Sequence, residues 1–260
     1  TPILCASLRV HCFVSIERQS FLGIATQIPE LPLFKMVERK RLVHFMKAFV
    51  SGETAIIPGK LVNRKFLEAS PDMVARLVLG KLLVRRTRDA LLVGRIVEVE
   101  AYIGNGDPAA HAAAGRTARN AVLFGPAGHA YIYFIYGMHN CLNISCEREG
   151  QAGSLLIRAL EPLEGLAQMA ALRGLSPHAP RRLLTSGPGR LCQAFGLTRA
   201  THNGVDLLSE DSDLQLRDDS YKTLDILTTT RIGITKAAER PLRFFVAGNR
   251  CVSGPARMNA

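Results

Sequence analysis

Hydrophobic and polar residues alternate with a period of two through much of the central part of the chain, which predicts a sheet of short strands. Along the longest of these strands, alternation divides the side chains between two faces. One face is predicted to carry Val97, Val99 and Ala101, and the other Ile96, Glu98, Glu100 and Tyr102. The predicted strands are 81–87, 91–103, 130–136, 140–147, 154–160 and 242–247.

Helical signals interrupt this pattern at three places. Ser70 before Pro71 is typical of a helix N-terminus, and that helix should end at Gly80. Apolar residues at helical spacing predict a second helix over 162–175, and Gly187-Pro188-Gly189 opens a third that ends near Gly196. Because strands follow strands without regular helical crossovers, the expected fold class is α+β with a mainly antiparallel sheet. Gly137-Met138-His139 is predicted to form a tight hairpin tip.

Residues 1–60 differ from the remainder, because they show little sustained periodicity and charged residues interrupt their apolar patches. We expect a poorly ordered N-terminal extension there, with the folded domain in 61–260. A basic cluster occupies Arg39-Lys40-Arg41, and Met36 or Met46 is a candidate for the true start of translation.

Composition places the chain among globular proteins, with 47% hydrophobic and 21% charged residues. The net charge of +11 suggests a polyanionic partner, either DNA, RNA or an anionic membrane, although a basic solvated surface would give the same number. No apolar run reaches the roughly 18 residues that span a bilayer, so no membrane partner is expected. The six cysteines lack the spacing of a zinc site, so we expect free thiols and no bound metal.

Glu98 and Glu100 are the first candidates for chemistry. On one face of a strand their Cα atoms would lie roughly 6.5–7 Å apart. One carboxylate can act as a general base on water, and two neighbouring carboxylates raise each other's pKa. The alternative is the exposed polar face of an edge strand.

Three tyrosines crowd into residues 130–136. Tyr131 and Tyr133 share a strand face, whereas Tyr136 points the other way at the hairpin tip. An aromatic ring on a sheet can stack on an unstacked base, and one at a tip can wedge into a duplex. Ordinary aromatic packing is the alternative.

Other polar candidates lie in loops and turns. His111 could position water or donate a hydrogen bond, and Asn143 could read a base edge. Gly187-Pro188-Gly189 could hold a phosphate on its backbone amides or be a plain turn. The candidates for phosphate contacts are Arg116, Arg119, Arg181, Arg182 and Arg190.

Several of these segments together resemble the alkyladenine (3-methyladenine) DNA glycosylase family. The resemblance covers about 61–254, and its many motifs in one order are more specific than any alone. His139 stands where the family pattern has an aromatic residue, and the short linker from Leu175 to Thr185 is similar to bacterial members. The matching segments are Glu98–Tyr102, His111, Tyr131–Met138, Asn143–Ser145, Leu156–Gly165, Ser186–Ala194 and Pro241–Phe245.

The resemblance implies a single domain built on a curved antiparallel sheet, with surrounding helices and a protruding β-hairpin. It assigns Glu100 as the base that activates water, with Arg158 ordering the water and backbone nearby. It also assigns Tyr136 as the intercalating wedge. Tyr102, His111 and Tyr133 would sandwich the damaged base, and Asn143 would exclude guanine.

The expected activity is that of a monofunctional DNA-3-methyladenine glycosylase that excises 3-methyladenine, 7-methylguanine and hypoxanthine. Its partner would be double-stranded DNA with a damaged purine, and we expect a monomer without a cofactor. The expected location is the bacterial cytoplasm at the nucleoid, or the nucleus in a eukaryote. A non-catalytic nucleic-acid binding module or an enzyme on RNA remains the main alternative. An acyl or formyl transfer enzyme is a third, but it would need a nucleotide or folate site that the sequence does not show.

Overall fold

The computed structural model describes residues 57–222 and 225–254. The predictions made for residues 1–56, including the basic cluster and the alternative start codons, therefore lie outside the described residues. The folded sheet begins at Lys60, which pairs with Asp218. None of the described helices is both long and apolar enough to cross a membrane.

The described part of the chain forms an α+β fold around one nine-stranded sheet, in which every strand pair is antiparallel. The main path through the sheet runs β1-β7-β2-β3-β6-β5-β4, and β9 joins it by pairing with both β3 and β8. The strands are β1 Lys60–Leu61, β2 Leu82–Arg86, β3 Leu91–Ile103, β4 Ala130–Ile135, β5 His139–Cys146, β6 Gly153–Glu164, β7 Leu214–Asp218, β8 Ile226–Thr229 and β9 Arg243–Val246.

All six strands predicted from alternation are present, within a few residues of their expected ends, although β6 runs on to Glu164. The predicted helix over 162–175 was therefore wrong in its first turn. Pro162 continues β6 opposite Gly94, and Gly165, in the left-handed region at φ 76°, precedes the helix. Leu163 lies on the strand, and Met169 and Ala170 are the helical residues that reach the core.

Five α-helices are described, and they pack against the sheet and one another. The positions of the first and fourth helices were predicted closely. The third and fifth helices are too short for a helical repeat of apolar residues to be detected in the sequence. Ser70 precedes the first helix, but its side chain makes no capping hydrogen bond. The helices are α1 Pro71–Val78, α2 Leu166–Leu172, α3 Arg181–Thr185, α4 Pro188–Ala194 and α5 Arg199–His202.

The predicted alternation along β3 fails at one point, and this decides the layout of the site. The pairing of β3 with β6 shifts register between Ile96 and Glu98 and again between Glu98 and Val99. A register shift moves a side chain to the opposite face of the sheet. Ile96 therefore lies in the main core with Val99, whereas Val97 packs on the other side with Phe245.

The long strand β3 is central in the sheet. One edge pairs with β6 throughout, and the other pairs first with β2 and then, at Glu98 to Glu100, with β9. Both glutamates are fully buried, so the alternative of an exposed edge strand was wrong.

Candidate active site

A cavity of about 320 Å³ opens beside the second half of β3. Its walls come from strands β3 to β6, from the loop that precedes β4, from the start of α4 and from the segment between β8 and β9. Four of the five tyrosines of the chain line it. The lining residues are Tyr102, Ala109, His111, Tyr131, Tyr133, Ile135, Tyr136, Cys141, Asn143, Ser154, Leu156, Arg158, Pro188, Ile232, Gly233 and Ile234.

Glu100 lies directly behind this wall, in contact with three of the lining residues. Its Oε1 accepts a hydrogen bond from the backbone N–H of Ile232 at 2.7 Å and lies 3.1 Å from Nη1 of Arg158. Its Oε2 accepts a hydrogen bond from the Tyr102 hydroxyl at 3.0 Å. The carboxylate is thus fixed in orientation by three residues that line the cavity.

Glu98 faces the same side of β3 and shares Arg158 with Glu100, but its other partners differ. Its Oε1 accepts hydrogen bonds from Nε of Arg158 at 3.0 Å, from Nε of Arg243 at 2.7 Å and from the Ser253 hydroxyl at 2.9 Å. Its Oε2 accepts one from the backbone N–H of Ser253 at 2.6 Å. Arg158 lies between the two glutamates and offsets the repulsion that the sequence led us to expect.

The aromatic residues predicted to hold a base lie together at the cavity. The rings of His111 and Tyr133 meet edge to face with centroids 4.6 Å apart, and Tyr131 lies 6.0 Å from Tyr133. Burial raises the pKa of Tyr133 above its usual range, and burial together with the charge of Glu100 does the same for Tyr102. Both hydroxyls therefore stay protonated at neutral pH.

His111 is held by a neighbouring tyrosine. Its Nδ1 lies 3.0 Å from the hydroxyl of Tyr131. Desolvation of the ring lowers the His111 pKa, and the positive charge of Arg119 lowers it further. A neutral imidazole is therefore expected at pH 7, which leaves it without charge beside a bound base.

Asn143 also lines the cavity, and its Nδ2 donates to the backbone oxygen of Tyr131 at 3.2 Å. This hydrogen bond fixes the Asn143 side chain against β4. Cys141, two residues earlier on β5, contributes a buried thiol to the same wall.

The hairpin between β4 and β5 carries Tyr136 at its tip, beside the mouth of the cavity. Ile135 pairs with His139, so the hairpin loop holds Tyr136, Gly137 and Met138, one residue before the predicted tip. Tyr136 and Gly137 both adopt positive φ, of 53° and 67°, at the centre of the turn that the Met138 N–H closes onto the Ile135 oxygen. The tyrosine is 76% exposed. Its neighbour His139 packs against Gly189, where a Cβ would come within 3.0 Å of the imidazole ring. Gly189 is therefore needed for packing against the hairpin.

The predicted phosphate-binding arginines spread around the surface. Arg116 and Arg119 are exposed in the loop that carries His111, and Arg119 is close enough to influence that histidine. Arg182 donates to the backbone oxygen of Gly254 at 2.9 Å, and Arg190 donates to that of Ser186 at 3.4 Å.

Sequence reasoning missed a buried ion pair that joins two walls of the cavity. Arg231 donates to both carboxylate oxygens of Asp107, at 2.5 and 2.9 Å, and its guanidinium lies 4.6 Å from the ring centre of Tyr102. Asp107 belongs to the loop of His111, and Arg231 precedes Ile232. No periodic pattern marks either residue, because both lie outside regular elements.

Within the described residues, no three His, Cys, Asp or Glu side chains cluster in a way that could hold a metal ion. The polar groups at the cavity, together with the Glu100 carboxylate behind it, are guanidinium, imidazole, phenol, thiol, amide and aliphatic hydroxyl groups.

Comparison with known proteins places this geometry in a family. The sequence profile of the methylpurine-DNA glycosylase family matches residues 65–250. A Koribacter versatilis protein, provisionally named 3-methyladenine DNA glycosylase, is 56% identical over 191 residues, which cover 74% of this chain and 92% of that protein.

Two further relatives carry the same provisional name. The protein from Methanoculleus marisnigri is 49% identical over 192 residues, covering 72% of this chain and 96% of its own length. The one from Burkholderia lata is 46% identical over 199 residues, covering 76% and 93%. With most of its described residues inside the match and a relative above half identity, the chain belongs to the methylpurine-DNA glycosylase family.

Proposed function

We propose that this chain, a DNA glycosylase by family, excises 3-methyladenine, 7-methylguanine and hypoxanthine from duplex DNA and leaves an abasic site. The observation that carries the proposal is the position of Glu100, whose carboxylate lies behind the wall formed by Tyr102 and Arg158. A base held against that wall would bring its sugar close to the carboxylate.

The cavity supports a substrate of purine size. Its volume of about 320 Å³ is at the lower end of the range for small-molecule pockets. The walls are mostly aromatic and aliphatic, with a few polar groups that could fix orientation, namely Asn143, Ser154 and His111. Such a pocket suits a flat heterocycle better than a sugar or a peptide.

A base inside a duplex must first leave the stack, at a cost of a few kcal/mol that is lowest for damaged pairs. Tyr136, exposed at the hairpin tip beside the cavity mouth, is the residue we assign to fill the gap. Intercalated there, it would slow the return of the flipped nucleotide into the duplex.

In the proposed reaction, Glu100 takes a proton from water as the water oxygen forms a bond to C1′. The bond from C1′ to the purine nitrogen breaks, and its electron pair leaves with the base. An alkylated purine carries a positive charge, which this electron pair neutralises, so the base leaves readily. The neutral rings of Tyr102 and Tyr133 favour such a cation through cation–π contact.

Arg158 has the geometry to order this reaction, because it both contacts Glu100 and lines the cavity. No lysine is found among the residues that line the cavity, which supports hydrolysis by water over a Schiff-base mechanism. The proposed reaction needs one chain, one duplex and one water molecule.

Replacing Glu100→Gln tests the proposal. Loss of a general base should reduce base release by about 10²- to 10⁴-fold, while binding to lesion DNA is retained. The rate of base release is measured on duplexes that contain 3-methyladenine, 7-methylguanine or hypoxanthine. The affinity for lesion DNA is measured by gel-shift titration. Glu161→Gln, on β6 outside the cavity lining, is the matched control and should behave as the unaltered protein.

Normal excision by Glu100→Gln would contradict the assignment of the base. Lesion binding without base release by the unaltered protein would instead favour a non-catalytic binding module.

A further inference from the structure

We propose that Glu98 is a positioning residue, which holds the Arg158 guanidinium where it can serve Glu100, with Ser253 as the second support. This inference rests on the proposed function, since it concerns the same reaction. Glu98 itself does not line the cavity, so it would act through Arg158 and not on the substrate.

The hydrogen bonds of Glu98 define one orientation for Arg158. Nε of Arg158 donates to Glu98 at 3.0 Å, Nη2 donates to the Ser253 hydroxyl at 3.3 Å, and Nη1 lies 3.1 Å from Glu100. Each nitrogen of the guanidinium thus has a separate partner. A planar group held at three points cannot rotate without breaking at least one of these bonds.

Glu98 is in turn fixed by partners on other elements. Arg243 of β9 donates to it at 2.7 Å, and the backbone N–H of Ser253 donates at 2.6 Å. All these groups are buried, so water does not weaken the contacts. Glu98 therefore connects β3, β6, β9 and the segment after β9 at a single carboxylate.

The register shifts in β3 and β6 explain why this arrangement is possible. Between Ile96 and Val99 the pairing passes over Val97 on β3 and over Arg158 on β6. Freed from regular pairing, Arg158 extends toward both glutamates and also reaches the cavity. A regular ladder would have given it one cross-strand neighbour.

The charges around Glu98 are balanced. Glu98 and Glu100 on β3 face Arg158 on β6 and Arg243 on β9, so two negative groups meet two positive ones. The other groups that act on Glu100 or on these partners are the hydroxyls of Tyr102 and Tyr133, the thiol of Cys141 and the guanidinium of Arg231. Removing the charge of Glu98 leaves the Nε of Arg158 without its carboxylate partner.

The test compares Glu98→Gln with the unaltered protein in single-turnover base release from a lesion duplex at pH 7. We expect the rate to fall about 10- to 100-fold, as small misplacements of catalytic groups do, with lesion affinity unchanged. A general loss of packing around the cavity would instead lower the lesion affinity together with the rate.

Ser253→Ala is the second variant, and it keeps both arginine pairs of Glu98 while it removes the hydroxyl that contacts Glu98 and Arg158. Ser253→Ala should lower the rate of base release several-fold while the affinity for lesion DNA is unchanged. If Glu98→Gln does not fold, this variant tests whether the support of Arg158 matters. Glu161→Gln again serves as the control, since it changes a carboxylate on β6 outside the cavity lining.

The inference is overturned if Glu98→Gln keeps its rate, or if it loses rate and lesion affinity together. It is also overturned if Ser253→Ala keeps the full rate when Glu98→Gln cannot be purified folded. These outcomes require an active unaltered protein, so they differ from failure of the proposed function, in which the unaltered protein releases no base.

Discussion

Two glutamates separated by a single valine have different surroundings at the scale of the residue. Glu98 accepts four hydrogen bonds from Arg158, Arg243 and Ser253, whereas Glu100 contacts the lining residues Tyr102, Arg158 and Ile232. Strand periodicity makes the two equivalent, and only the family resemblance singled out Glu100. The structure supplies the physical difference, which is contact with the cavity wall.

The imidazole of His111 provides a prediction at the same scale. Desolvation and the charge of Arg119 together lower its pKa, so Arg119→Ala should raise that pKa toward the ordinary value of about 6.5. NMR titration of the imidazole measures the change. Arg116→Ala, in the same exposed loop, is the control and should leave the His111 pKa in place. Equal shifts in both variants would show that the charge of Arg119 is not responsible.

Tyr136 is the second residue whose role can be isolated. If it fills the space left by a flipped nucleotide, Tyr136→Ser should lose about 1–3 kcal/mol of stacking, which slows single-turnover excision roughly 10- to 100-fold. Tyr221→Ser removes another exposed tyrosine, outside the cavity lining, and should leave the rate unchanged. Equal rates for Tyr136→Ser and the unaltered protein would remove the wedge role.

At the scale of elements, the connections between strands supply residues that complete the walls of the cavity. The loop of 104–129 carries Asp107 and His111, and the segment between β8 and β9 carries Arg231 and Ile232. The ion pair of Asp107 with Arg231 joins the two, and both side chains are fully buried. Because Arg231 also lies against the Tyr102 ring, this pair braces the wall that would hold a base.

Breaking this ion pair should destabilise the fold. Asp107→Asn leaves the Arg231 charge buried without its partner, which costs about 3–5 kcal/mol in urea unfolding at pH 7. Burial by itself raises the pKa of Asp107, but the hydrogen bonds and charge of Arg231 outweigh it, and the pKa lies below its usual value. The stability from the pair is therefore present above the unfolded carboxyl pKa of about 4 and is lost as pH falls through the folded value.

The matched control is Asp206→Asn, because Asp206 pairs with Arg64 where both side chains are 32% exposed. Such a pair contributes about 0–1 kcal/mol. If the two variants lose the same stability at pH 7, the Asp107 pair has no special bracing role.

At the scale of the whole molecule, the net charge of +11 gives a prediction about DNA binding. If Arg116, Arg119, Arg182 and Arg190 each contact one phosphate, the logarithm of the binding constant should fall with the logarithm of salt at a slope of about −3 to −4. Replacing Arg116 and Arg190 together by alanine should reduce that slope by about two. If the logarithm of the binding constant does not change between 50 and 200 mM salt, these arginines do not contact phosphates.

The sequence by itself determined the α+β class, the positions of the six main strands along the chain and the first helix, because each depends on local periodicity or turn chemistry. It placed the hairpin tip one residue too late. It also indicated the aromatic residues of the cavity, since Tyr131 and Tyr133 share a face of one strand. The family motifs added Glu100, Arg158 and Asn143, all of which lie at the cavity or directly behind its wall.

Only the tertiary structure decided which residues support that site. The register shifts beside Glu98, the ion pair of Asp107 with Arg231, and the reach of Ser253 back to β3 join positions far apart in the chain. Local patterns carry no information about such contacts, because they arise only when separate strands and loops pack together. The same packing converted two glutamates that alternation predicts as alike into one that contacts the cavity wall and one that holds Arg158.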